Sequence, residues 1–320
     1  MQTLIGHDDL MRKDTIRHDA QALLDLLATT PLAQIGELGV EETRAISKKM
    51  RSAPVEQDLV SVRDICFTHS GGEIGLRCYN TEDRGAPTPL ILYFHGGGFV
   101  MGDLDSHHEL CLTIARDLNL PLVSVDYRLA PENPWPAAPD DAEAAARWIV
   151  TNASDALGIR LSGLVLAGDS AGANLAAITA RALIDKPTEI PLIGQFLIYP
   201  CVSIGLETRS MRENADGYYL TRKTLDWFTG HYDAPEDDPR FNLLAFDQTG
   251  MPPTLLVTAG LDPLRDEGRV YAARLIEAGV PVVYQEAVGN IHGCFSMTAA
   301  IPSTKRDVDR ALAAFSVLIS

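Results

Sequence analysis

Three short stretches carry residue types that, if brought together, would transfer an acyl group. Residues 166–176, LAGDSAGANLA, hold Gly168-Asp169-Ser170-Ala171-Gly172, a G-x-S-x-G pattern set between an apolar run and a helical stretch. A nucleophilic serine on a sharp strand-to-helix turn needs that context, with small residues where strand and helix pass closely. The plainer use of such a serine is a helix cap, so its neighbours must decide. A hydroxyl is a weak nucleophile at neutral pH and needs a general base, itself oriented by a third group. TAGLDPLRDEG (258–268) puts Asp262 in the loop after one apolar run, and GNIHGCF (289–295) puts His292 in the loop after another. Asp262 followed by Pro263 also reads as a helix start. Asp266, one turn further on, is a rival acid, although acids early in a helix commonly complement its dipole.

A fourth stretch, FHGGGFVMGD (94–103), places three glycines at the end of an apolar run. Acyl transfer puts negative charge on the carbonyl oxygen, and preorganised donors aimed at it are the largest single catalytic aid. Backbone amides can serve only where no side chain keeps the substrate away. Gly97 and Gly98, with the amide of Ala171, are therefore the expected oxyanion hole, supported by Gly96 and by a hydrogen bond from His95. His7, His18, His69 and His231 lie farther from the motifs. Asp103, Asp105, His107 and His108 match no common metal-ligand spacing and read as a helix start. Neither glycine cluster fits a phosphate-binding loop. No metal or cofactor is expected.

The elements that must position these residues follow from periodicity. Ala20–Leu27 and Glu41–Met50 read as helices, Leu59–Ile65 and Gly75–Tyr79 as strands about a Gly71-Gly72 turn. From residue 89 on, the apolar runs 90–94, 122–126, 164–168, 196–200, 254–258 and 282–287 alternate with amphipathic stretches such as Asp140–Val150 and Ser170–Ile184. That alternation predicts an α/β fold: a mostly parallel, eight-stranded sheet flanked by helices. Residues 203–250 hold no apolar strand and read as partly helical. With residues 1–50 they are expected to cap one end of the sheet, giving a catalytic domain over 51–320 with a cap insertion at about 203–245. Trp135, Trp227, Tyr218 and Tyr219 are candidate cap or pocket aromatics, and equally candidate core.

Apolar residues make up 46% of the 320-residue chain and charged ones 22%, enough to fill a large core, and the formal net charge is -16. That acidity argues against nucleic acid as a partner. The start, MQTLIGHDDLMRKDTIRHDA, lacks an apolar leader, and no run is long enough to span a bilayer. The five cysteines are scattered, with no CxxC pair. A cytoplasmic, thiol-reduced protein is expected. The oligomeric state, a homodimer included, is left open.

Taken together, HGGGF (95–99), YRLAPE (127–132), GDSAG (168–172), DPLRDEG (262–268) and IHGCF (291–295) resemble the hormone-sensitive-lipase branch of the α/β-hydrolases, the bacterial family IV carboxylesterases. The resemblance runs from about residue 50 to the end. It implies an α/β-hydrolase fold, Ser170 as nucleophile, His292 as base, Asp262 as its orienting acid, the HGGG loop as oxyanion hole, and short-chain acyl esters as substrates. Two alternatives stand beside it: an amidase or formamidase using the same machinery, and a non-catalytic ligand-binding receptor on a hydrolase scaffold, although such proteins usually lose a triad member and here all three stand. Cys294, directly after His292-Gly293, stands where the family usually has an aromatic. It is expected to be a packing thiol, with a redox-sensitive one as the alternative.

Overall fold

The computed structural model describes residues 15–30, 35–49, 61–82 and 84–320. Eight strands form one sheet: β1 (Val62–His69), β2 (Gly72–Tyr79), β3 (Thr88–Phe94), β4 (Leu122–Asp126), β5 (Leu161–Asp169), β6 (Leu192–Ile198), β7 (Thr254–Leu261) and β8 (Val282–Ile291). Their order is β1-β2-β4-β3-β5-β6-β7-β8. β2 runs antiparallel to both β1 and β4, and every other pair is parallel.

Side chains alternate across a strand, so a sheet buried on both faces needs apolar residues at nearly every position. β3 and β5 meet that demand. Leu90, Leu92, Phe94, Leu164 and Leu166 pack into one core, and Ile91, Tyr93, Val165 and Ala167 into the other. The first core is closed by α4 (Ala137–Asn152), α5 (Ala171–Asp185) and α8 (Arg265–Glu277). The second is closed by α3 (His108–Asp117) and α9 (Lys305–Leu318). Fully burying one Leu or Ile contributes about 1.5–3 kcal/mol, so these paired layers fix the strand order firmly.

The register decides what can meet above the sheet. Phe94 lies opposite Gly168, which sets the glycine loop beside the serine turn. Leu261 lies opposite Ile291, which sets Asp262 beside His292. All four motifs leave the C-terminal ends of parallel strands, where open α/β sheets place their ligand sites.

Several boundaries differ from the sequence reading. β8 continues to Ile291 rather than ending at 287, because the pairing with β7 persists to Leu261. α8 starts at Arg265 rather than Pro263, because the Asp262 carboxylate closes a turn by accepting from the Leu264 amide at 2.8 Å. β1 starts at Val62 and runs on to His69, and the expected residues 59 and 60 lie outside the described part. The two expected N-terminal helices are α1 (His18–Leu27) and α2 (Val40–Lys49). His7 and Met50 lie outside the described residues. Between β6 and β7 come α6 (Arg209–Glu213) and α7 (Arg222–Tyr232), with no strand. Among the described residues no helix is long and apolar enough to cross a membrane.

Candidate active site

Ser170 follows β5 and precedes α5 with φ 54° and ψ -119°. A non-glycine residue in such a region costs about 1–3 kcal/mol and persists only where its surroundings over-determine it. Here they do. The Ser170 amide donates to the Ile198 carbonyl at 2.8 Å, and the Ser170 carbonyl accepts from the Cys201 amide at 3.2 Å. The turn is sharp enough that its glycines are obligatory. A Cβ on Gly172 would stand 1.9 Å from the Phe94 carbonyl oxygen, and one on Gly168 would stand 2.4 Å from the Gly172 backbone.

The turn delivers the hydroxyl to a base. His292 Nε2 lies 2.9 Å from Ser170 Oγ, and His292 Nδ1 lies 2.7 Å from Asp262 Oδ2. The carboxylate can only accept, so Nδ1 carries the proton and Nε2 is left to accept from the serine. Asp262 is fully buried and His292 is 6% exposed. Asp266, the rival acid, faces elsewhere: it accepts from the Ser210 amide and from the Arg265 and Arg269 guanidiniums. Burial would raise its carboxyl, but those hydrogen bonds and cations outweigh it and hold the pKa low.

The glycine loop faces the same cavity as Ser170, Ala171 and His292. Gly97 (φ 121°) and Gly98 (φ 61°) are left-handed, and a Cβ on Gly97 would strike the Met101 carbonyl oxygen at 2.3 Å. Among the described residues the amides of Gly97, Gly98 and Ala171 have no backbone acceptor. All three residues line the cavity. His95 donates from Nδ1 to the Gly96 carbonyl at 2.8 Å, and its ring stacks on Tyr127. Burial, with His107 beside it, pushes its pKa down to about 4. Burial thus disfavours the charged ring, whose hydrogen bond goes to the loop backbone.

Sequence reasoning missed the group that ties loop to turn. Asp169, 3% exposed, directs its carboxylate beneath the glycine loop. It accepts from the Tyr93 hydroxyl at 2.7 Å, the Gly96 amide at 2.8 Å and His107 Nε2 at 3.2 Å. Burial would raise its carboxyl, yet the attraction of His107 and these hydrogen bonds outweigh it and lower the pKa. The signal was present in GDSAG, but no pattern tells which way the residue before the serine points.

The candidate metal cluster disperses. Asp103 binds Ser106, Asp105 binds Arg77, His107 binds Asp169 and His108 binds Tyr79. Among the described residues no group of three His, Cys, Asp or Glu could hold a metal. Cys294 is buried, and burial pushes its thiol well above the ordinary range.

The cavity measures about 740 Å³. Of the four aromatics singled out from sequence, Tyr219 lines it, while Trp135 and Trp227 pack against one core and Tyr218 against the other. Phe228 was not foreseen. Its ring occupies the space that a side chain on Gly98 would need, 2.2 Å from that Cβ position. Leu220 and Leu264, packed with Met211, continue the apolar wall.

A mostly parallel eight-stranded sheet with a serine elbow over β5 and a histidine after β8 defines an α/β-hydrolase. The family model described as alpha/beta hydrolase fold matches residues 91–296. The chain is 38% identical over 288 residues to the carboxylic ester hydrolase LipN of Mycobacterium tuberculosis, covering 85% of this chain and 76% of that one. It is 39% identical over 240 residues to an ethyl acetate hydrolase of Pseudomonas putida, covering 73% and 75%. An ester hydrolase from the metagenome of Lake Arreo superposes with a TM-score of 0.85 at 36% identity, covering 95% and 99%. The chain belongs to the α/β-hydrolase fold family, in the hormone-sensitive-lipase-like branch populated by carboxylic ester hydrolases and esterases.

Proposed function

We propose that the protein is a serine carboxylesterase acting on small acyl esters through Ser170, His292 and Asp262. His292 Nε2 takes the Ser170 proton as Oγ attacks the ester carbonyl, and Asp262 stabilises the resulting imidazolium. The amides of Gly97, Gly98 and Ala171 receive the oxyanion. The alcohol departs with the proton from His292, and water repeats the sequence on the acyl-enzyme. The observation that carries this reading is the unbroken chain Ser170 Oγ to His292 Nε2 at 2.9 Å and His292 Nδ1 to Asp262 at 2.7 Å, opening on one cavity.

The preference for short acyl groups rests on the apolar wall. Phe228 stands against Gly98, and the Leu220, Leu264 and Met211 cluster backs the same side. The ethyl acetate hydrolase relative points the same way. α1, α2 and the segment 203–245 act as the cap: Leu23 and Leu27 of α1 and Leu225 and Phe228 of α7 reach the cavity wall. Hydrolysis of p-nitrophenyl esters from acetate to decanoate tests the preference. kcat/KM is expected to peak at or below hexanoate; a steady rise to decanoate would contradict it. Anilides of the same acids should turn over far more slowly than the esters, and the reverse ranking would make the protein an amidase.

A further inference from the structure

The molecule holds a second Ser-His-Asp set, made of Ser106, His107 and Asp169, packed against the glycine loop. Ser106 Oγ lies 2.9 Å from His107 Nδ1, and His107 Nε2 lies 3.2 Å from Asp169 Oδ2. The Ser106 hydroxyl donates to the Asp103 carbonyl at 2.7 Å and accepts from the Asp103 amide at 2.9 Å. Its proton is committed, so it accepts from His107 Nδ1, while His107 Nε2 faces the Asp169 carboxylate and also lies 3.4 Å from the Gly96 amide. The residues just after the glycine loop and the residue just before the nucleophile are thus joined through one imidazole.

What this joins is the oxyanion loop to the nucleophile turn. Asp169 takes the Gly96 amide, and a Cβ on Gly96 would come within 2.5 Å of Asp169 Oδ2. The carboxylate therefore abuts the backbone whose next two residues line the cavity. His107 is 8% exposed and lies against the same cavity, its ring 5.6 Å from that of His95. Preorganised donors stabilise a developing charge only if they do not have to move to meet it. A buried carboxylate left without its N–H partner would turn toward other donors, and Gly96 would follow it.

We infer that Asp169 and His107 are positioning residues for the transition state, holding the Gly97 and Gly98 amides in register with the Ser170 oxygen. This rests on the esterase reading above and deepens it. Uniform loss of binding raises KM, whereas loss of an interaction made only in the transition state lowers kcat. The two are separable.

The test is His107→Leu, which removes the N–H donor, beside His107→Gln, whose amide N–H restores one. Asp169→Asn, which keeps the shape and puts an amide opposite the ring, serves should His107→Leu not fold. For His107→Leu and Asp169→Asn, kcat on p-nitrophenyl acetate should fall about 10- to 100-fold with KM within about twofold. His107→Gln should recover to within about fivefold of the parent. Affinity for a trifluoromethyl ketone, which adds Ser170 and presents an oxyanion, should fall by the same factor as kcat/KM. Parental kcat in folded His107→Leu and Asp169→Asn would overturn the inference, as would a kcat loss with unchanged ketone affinity. Fluorophosphonate labelling of the parent separates the two claims. A labelled parent with indifferent variants sinks the positioning role alone, and an unlabelled parent sinks the esterase reading with it.

Discussion

The two Ser-His-Asp sets share residue types and nearly share distances, yet only one is arranged as a nucleophile. In the first, His292 turns Nδ1 to its carboxylate and leaves Nε2 for a hydroxyl whose proton is otherwise uncommitted. In the second, the order on the ring is reversed and the Ser106 hydroxyl is spent on the Asp103 carbonyl. Ser170 is also held at φ 54° on a glycine-flanked turn that presents it to the cavity, whereas Ser106 sits in a turn closed by hydrogen bonds to Asp103. On the proposed reading, what would make a serine reactive is the accounting of its proton and the strain of its backbone, more than the company of an imidazole and a carboxylate.

The largest effect should separate the two serines. Ser170→Ala is expected to lower kcat by about 10⁴- to 10⁶-fold, while Ser106→Ala, losing its local hydrogen bonds to Asp103 and His107, should stay within about tenfold of the parent. Steady-state rates on p-nitrophenyl acetate decide it, and comparable losses would erase the distinction. The acids come next. Asp262→Asn should cost about 10⁴-fold by spoiling the His292 tautomer, whereas Asp266→Asn, which touches Ser210, Arg265 and Arg269, should leave kcat within about tenfold. A reversed ranking, read from the same assay, would move the acid to Asp266.

The smallest effect concerns the frame behind the first set. Glu267 is 1% exposed and its Oε1 accepts from the Val202 amide at 2.6 Å, next to Cys201, which binds Ser170. Burial, aided by Asp262, raises its pKa from 4.5 to about 8. Between those values the folded chain keeps a proton that the unfolded chain releases, so this group makes stability fall as pH rises from about 4.5 to about 8. Glu267→Gln removes that dependence. Its Tm relative to the parent should climb between pH 5 and pH 8 in a thermal melt series, and a constant difference would mean that Glu267 is ionised in the fold.

Much of the first set was legible in the sequence, and the second was not. Ser170, Asp262, His292 and the glycines sit in stretches whose residue types make little sense as packing, and each follows an apolar run that had to be a strand. Asp169 was in plain view, but the direction of its side chain depends on the β3–β5 register. Phe228 and Trp227 are neighbours on α7, and periodicity marks α7 as amphipathic without telling which of them meets the cavity. The end of β8 was misjudged because the strand bulges over residues 288–290, where Gly289 has φ 72°, before it pairs with β7 again at Ile291. Local chemistry announces itself in residue types, while orientation is a tertiary fact.

The central claim is that one serine carries the chemistry and that His292 activates it. Reaction with a fluorophosphonate, followed by intact-mass measurement and peptide mapping, tests this most directly. The parent should take up one adduct, on Ser170, and His292→Ala should label at least about 10³-fold more slowly. An adduct on Ser106, or labelling of Ser170 that is indifferent to the loss of His292, would contradict the account.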